Sequence, residues 1–212
     1  MFSKALHKVL ISCEPNSNIG IEDFKKKPMI GFPWQDCDKA YIHLIDGNAW
    51  WKHAESIFIN CYKGFNIIEE KAIQYAGQVR AEFIKADEFI LYEDTIEMLN
   101  YFKEKGYSNI ILSNHIPELP RIVEDLGLSS YLIDCISSAN VGYEKPNAKI
   151  YEHALEKYNN PKEVWMVGDS LAADVKGPEN FGIKGVLVRS KMEDGIRYYS
   201  KNLLGLREII KE

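Results

Sequence analysis

The sequence predicts an α/β protein: a parallel sheet with helices on both faces, preceded by a wholly helical segment. Two observations carry this. After about residue 90, short apolar runs at 109–112, 132–136, 164–167 and 186–188 alternate with stretches of helical spacing. These runs do not alternate polar with apolar, the pattern of strands covered on both faces. Before residue 90 the apolar residues recur at helical spacing instead. A chain of 212 residues suits one α/β domain carrying a small insertion. The change of pattern divides it into a helical part, 1–90, and an α/β part, 91–212.

Taken in order, Phe2, Leu6, Val9 and Leu10 share one helical face. A polar loop with Pro15, Asn16, Ser17 and Asn18 follows, and Gly31-Phe32-Pro33-Trp34 is turn chemistry. Ile57, Phe58, Cys61 and Tyr62 mark a helix ending near Gly64; Ala72, Tyr75, Ala76, Val79 and Phe83 mark another. Asp94-Thr95-Ile96-Glu97 has the form of a capping box. Ile96, Leu99 and Phe102 then face inward, and Gly106 ends the helix. Helices at 119–126 (closed by Gly127), 148–158 and 171–181 separate the strands. Right-handed crossovers bring the C-terminal ends of such strands to one edge, where open α/β sheets bind ligands.

Composition narrows the function. The net charge is −5 and no basic stripe suits nucleic acid; Lys25-Lys26-Lys27 reads as a solvated loop or helix end. No apolar stretch is long enough for a membrane span, and the first ten residues lack the pattern of a signal peptide. Cys13, Cys37, Cys61 and Cys135 are scattered with no C-x-x-C pair, which points to reduced thiols of a cytoplasmic protein.

Three strand or loop ends carry polar residues. The first strand runs into Ser113-Asn114-His115, and the loop after the second holds Gly142-Tyr143-Glu144-Lys145-Pro146. The third strand runs into Gly168-Asp169-Ser170, with Asp174 five residues after Asp169. Singly, each is ordinary loop or cap chemistry. Converging on one edge, they make a phosphate and Mg²⁺ site. Mg²⁺ takes a few carboxylates with water and phosphate oxygens, lysine offers phosphate a point charge, and a hydroxyl with helix-start N–H groups holds a phosphoryl oxygen.

Ile110-Ile111-Leu112-Ser113-Asn114, Glu144-Lys145-Pro146 and Val167-Gly168-Asp169-Ser170 through Asp174 resemble, in order, the second, third and fourth motifs of the haloacid dehalogenase superfamily. Gly177, Asn180-Phe181-Gly182-Ile183 and Val186-Leu187-Val188 fit its last helix and strand. The resemblance implies a three-layer, Rossmann-like parallel sheet with a small helical cap supplied by 1–90. It implies a Mg²⁺-dependent phosphatase acting on a small phosphorylated metabolite. Ser113 would hydrogen-bond a phosphoryl oxygen with Asn114 beside it, and Lys145 would neutralise charge. Asp169 would bind Mg²⁺ directly or through water, and Asp174 would complete or orient that site. His115, beside these, would either contact substrate or cap the next helix.

The same resemblance requires an aspartyl nucleophile in D-x-D-x-[TV] at the end of a first, mid-sheet strand. No such segment is recognisable, so the first core strand is expected to lie before Met1, with the chain beginning inside the first cap helix. Asp36-Cys37-Asp38 has the right letters, but Gly31 and Pro33 precede it and Ala40 stands where Thr or Val belongs. Residues 9–14 could be a degenerate strand, yet their spacing continues the helix from Phe2. Without the first strand, two buried sheet edges are left open. The alternatives are a non-catalytic binding protein of the same fold, or another chemistry on it, dehalogenase or phosphomutase. Trp34, Tyr41, His43, Trp50, Trp51 and His53 could line a substrate slot but are better read as the core of a small helical cap, and Trp165 as core of its strand.

Overall fold

The computed structural model describes residues 2–85 and 88–211. Residues 2–85 form helices and turns. Helix α1 (Ser3–Cys13) buries Ala5, Leu6, Val9 and Leu10, so the helical reading of residues 9–13 holds. After α2 (Ile21–Lys26), the lysine run ends that helix, with Lys25 paired to Glu22 at the surface. Helix α3 (Gly47–Lys63) starts at Asp46, whose carboxylate accepts the Asn48 N–H. Helix α4 (Glu69–Phe83) opens with Glu69 and Glu70, acidic residues that suit the positive end of the helix dipole. Phe2 contacts the rings of Phe32, Phe58 and Phe83 at the centre of this half. Trp50 and Trp51 are almost wholly buried in the same cluster, as core rather than slot lining.

The remaining elements alternate. They run α5 (Thr95–Glu104), β1 (Ile110–Ser113), α6 (Leu119–Asp125), β2 (Asp134–Ser137), α7 (Ser138–Val141) and α8 (Ala148–Lys157). Then come β3 (Trp165–Gly168), a π-helical turn (Leu171–Lys176), α9 (Gly177–Glu179), β4 (Lys184–Val188), β5 (Tyr199–Ser200) and α10 (Leu206–Ile209). Gly106 and Gly127, at φ +86° and +73°, take the left-handed conformation that stops α5 and α6.

All strand pairings are parallel, but they form two sheets: β1 with β2, and β3-β4-β5. Leu112 of β1 and Met166 of β3 pack against one cluster built on α8, so the two sheets share a layer. Each of β1 and β3 has one edge paired and one edge free of strand partners among the described residues. Every residue of β1 and β3 is only partly buried, whereas β4, paired on both sides, is buried from Gly185 to Val188. The open edges expected from the sequence are therefore present.

Three local expectations are corrected. Asp94 precedes α5 but makes no side-chain cap bond. Its carboxylate instead pairs with Arg189 and accepts the Leu203 N–H at 2.8 Å, tying the start of α5 to the end of the chain. The inward face of α5 is led by Met98 and Phe102, while Ile96 is exposed. Trp165 is half-buried rather than core, its ring against Tyr198 and under the Lys184 ammonium.

Candidate active site

Four chain segments meet at the C-terminal ends of β1 and β3. Ser113 closes β1, paired with Ser137 of β2. Asn114 turns away from the strand and brackets the next motif. Its Oδ1 accepts the Lys145 N–H at 2.7 Å and its Nδ2 donates to the Lys145 carbonyl at 2.8 Å. Lys145 then reaches Asp174 with an Nζ–Oδ1 distance of 2.6 Å, both groups buried. Asp174 Oδ2 accepts the Ser170 N–H at 2.9 Å. The Asp174 carboxylate lies over Gly168, where a Cβ would sit 2.2 Å from Oδ2; only glycine leaves that space.

The π-helical turn explains how Asp174 arrives there. Ser170 caps it, its Oγ accepting the Ala173 N–H. The widened turn leaves the Ala173 carbonyl to the Tyr151 hydroxyl at 2.6 Å, which fixes the turn to α8. Asp169, by contrast, is exposed and, with the Ser113 hydroxyl, has no protein partner among the described residues.

Asp36-Cys37-Asp38 does not form a strand. It lies in a turn after a 3-10 helix (Pro33–Gln35), with Asp36 exposed and paired to Lys39. Among the described residues no strand ends in D-x-D. No three His, Cys, Asp or Glu side chains converge there as a metal cluster. A site for Mg²⁺ does not need three protein carboxylates, since the ion keeps several waters. Asp169, exposed and unpaired among the described residues, suits a hard cation as an oxygen donor; Asp174 is occupied by Lys145 and Ser170.

His115 turns toward the helical half, its ring beside Phe83 and Phe89. It borders a cavity of about 180 Å³ together with Lys4, Lys8, Glu82 and Glu88. Its backbone N–H donates to Ser138 Oγ and its backbone carbonyl accepts from Ser137 Oγ. Burial lowers the imidazole to about 4, against a weaker opposing pull from Glu118, so it is neutral at pH 7.

Glu144 carries no role that sequence spacing suggests, yet it is the most buried carboxylate beside Lys145, and its Oε2 has no hydrogen-bond partner among the described residues. Burial pushes its acid up to about 7, while Ser138 and Lys145 pull the other way. Cys37 and Tyr41 of the helical half feel its charge. Its value in the fold is above the ordinary 4.5. This contribution to stability is therefore full below pH 4.5 and lost as pH rises through about 7. Glu144→Gln is expected to flatten the fall in stability between pH 5 and 8, a span worth roughly 3 kcal/mol. Urea titrations at several pH values check this; parallel profiles for the two proteins would contradict it.

The fold defines the class: a parallel, Rossmann-like α/β protein with a helical cap. Residues 8–182 match the haloacid dehalogenase-like hydrolases, and the chain belongs to that family. It is 29% identical over 161 residues to the glyceraldehyde 3-phosphate phosphatase of Methanothermobacter thermautotrophicus, covering 71% of each chain. It is 38% identical over 91 residues to the pyrimidine 5'-nucleotidase YjjG of Escherichia coli, covering 42% of this chain and 40% of that one. In fold it is similar to the HAD-hydrolase YfnB of Bacillus subtilis bound to magnesium (TM-score 0.69, 14% identity, 100% of this chain and 92% of that one). It is also similar to a 2-haloacid dehalogenase from Pseudomonas syringae (TM-score 0.66, 17% identity, 98% and 88% covered). No helix among the described residues is long and apolar enough to cross a membrane.

Proposed function

We propose that the protein is a Mg²⁺-dependent, cytoplasmic phosphatase of a small phosphate monoester. Its aspartyl nucleophile would be carried on a strand lying between β1 and β3, and residues 1–90 would act as the cap. The observation that carries this reading is the buried Lys145–Asp174 pair set between two strand ends, Ser113 and Asp169, whose side chains have no protein partner among the described residues. Relatives named as glyceraldehyde 3-phosphate phosphatase and phosphoserine phosphatase support it.

Each residue then has a task. The Ser113 hydroxyl donates to a phosphoryl oxygen. Lys145, fixed through its backbone by Asn114, brings positive charge to the transferring group, where positioning and electrostatics carry most of the acceleration. Asp174 holds the ammonium in place. Asp169 would hold Mg²⁺ with water, and the bound ion would supply further charge neutralisation. Among family chemistries, a free carboxylate beside a lysine–carboxylate pair favours phosphoryl transfer over dehalogenation, which needs no metal.

The test is phosphate release from a panel of small monoesters by protein isolated from its own cells, with and without Mg²⁺. Release should require the ion, and Asp169→Asn should lower it on the order of 10³-fold. Full activity in that variant would remove Asp169 from the site.

A further inference from the structure

The loop carrying Lys145 is held from two sides. From the α/β part, Asn114 brackets the Lys145 backbone. From the helical part, residues 37–42 lie across the same loop. The Tyr41 N–H donates to the Gly142 carbonyl at 2.7 Å, and Asn147 Nδ2 donates to the Cys37 carbonyl at 2.9 Å. At Gly142 a Cβ would lie 2.8 to 3.0 Å from Ile42 side-chain and backbone atoms, so the two backbones meet there without a side chain between them. Ile42 is itself 47% exposed. Hydrogen bonds tie the two backbones together here, with Asn147 Nδ2 also reaching the Asp38 carbonyl at 3.5 Å.

We propose that residues 37–42 are a positioning element for Lys145, with Gly142 and Asn147 as the positioning residues through which the helical part acts. Seated, the segment and Asn114 both hold the 142–147 loop and keep the ammonium on Asp174. Lifted, it leaves Lys145 to the Asn114 bracket and the Asp174 pair, with the loop between Gly142 and Asn147 less constrained and the aim of the ammonium looser. The inference rests on Lys145 serving the reaction proposed above, but the contact is measurable without turnover.

Asn147→Asp is the discriminating variant. Asn147 Oδ1 also accepts the Lys149 N–H at the start of α8, and an aspartate keeps that acceptor. It removes the donor to Cys37 and sets a carboxylate against that carbonyl. Residue-resolved amide hydrogen exchange on the full chain, without substrate, reads the result. The Tyr41 and Lys145 amides should both exchange about five- to tenfold faster, the order expected for losing one hydrogen bond, with Lys149 unchanged. Faster exchange at Tyr41 alone would overturn the proposal, because the segment would then seat without positioning Lys145. Unchanged exchange at both would overturn it too. In turning-over protein the same variant should lower kcat more than it alters KM. Absence of any phosphate release from the unaltered protein would count against the proposed function and leave the exchange result standing.

Discussion

Lys145→Ala is expected to destabilise the folded protein by about 3–5 kcal/mol, because it strands a buried carboxylate. The Asp174 side chain is only 7% exposed. After the substitution it keeps, among the described residues, only the Ser170 N–H. The same change should lower kcat by about 10²–10³-fold, the scale for removing one preorganised charge-stabilising group. The two effects separate in the double variant Lys145→Met with Asp174→Asn. Without an uncompensated charge it should regain most of the stability in denaturant titration and none of the activity. A Lys145→Ala protein as stable as the original would mean that the pair is not closed in solution.

Gly168→Ala is expected to damage the site nearly as much without touching a charge. The added methyl would lie 2.2–2.7 Å from three Asp174 side-chain atoms. The carboxylate must then leave the Ser170 N–H or the Lys145 ammonium. Overpacking of this kind costs about 1–3 kcal/mol, and the displaced ion pair adds to it. Gly182→Ala is the control. Its φ of +73° makes alanine strained there, by about 1–2 kcal/mol, but nothing lies within 4 Å of the new Cβ. Activity at saturating substrate should survive in Gly182→Ala and fall in Gly168→Ala; equal losses would show that only global stability is at stake.

These expectations rest on features the sequence exposes unevenly. The α/β order is legible because buried parallel strands read as short apolar runs, and the observed strands at Ile110–Ser113, Asp134–Ser137 and Trp165–Gly168 begin one or two residues after the expected runs. The two-residue strand Tyr199–Ser200 and the last short helix carry too few residues for any period to register. Asp94 has the local signature of a cap, while the partner that claims its carboxylate, Arg189, is 95 residues away. Glu144 is equally silent in sequence. Its burial arises where the helical part covers the loop, and no spacing within one segment encodes that contact. The same is true of Gly142, whose close approach to Ile42 is set by two distant segments. The two open strand edges among the described residues, by contrast, are expected from the sequence, because no D-x-D-x-[TV] is recognisable in it.

The most direct test of an aspartyl nucleophile seated between β1 and β3 is the intact mass and N-terminal peptide map of the protein purified from its own cells. The proposed function predicts a mass above 24.4 kDa and a peptide containing D-x-D followed, after one residue, by Thr or Val. A mass of 24.4 kDa with no copurifying chain would contradict it, and would leave a protein of this fold that binds its ligand without turning it over.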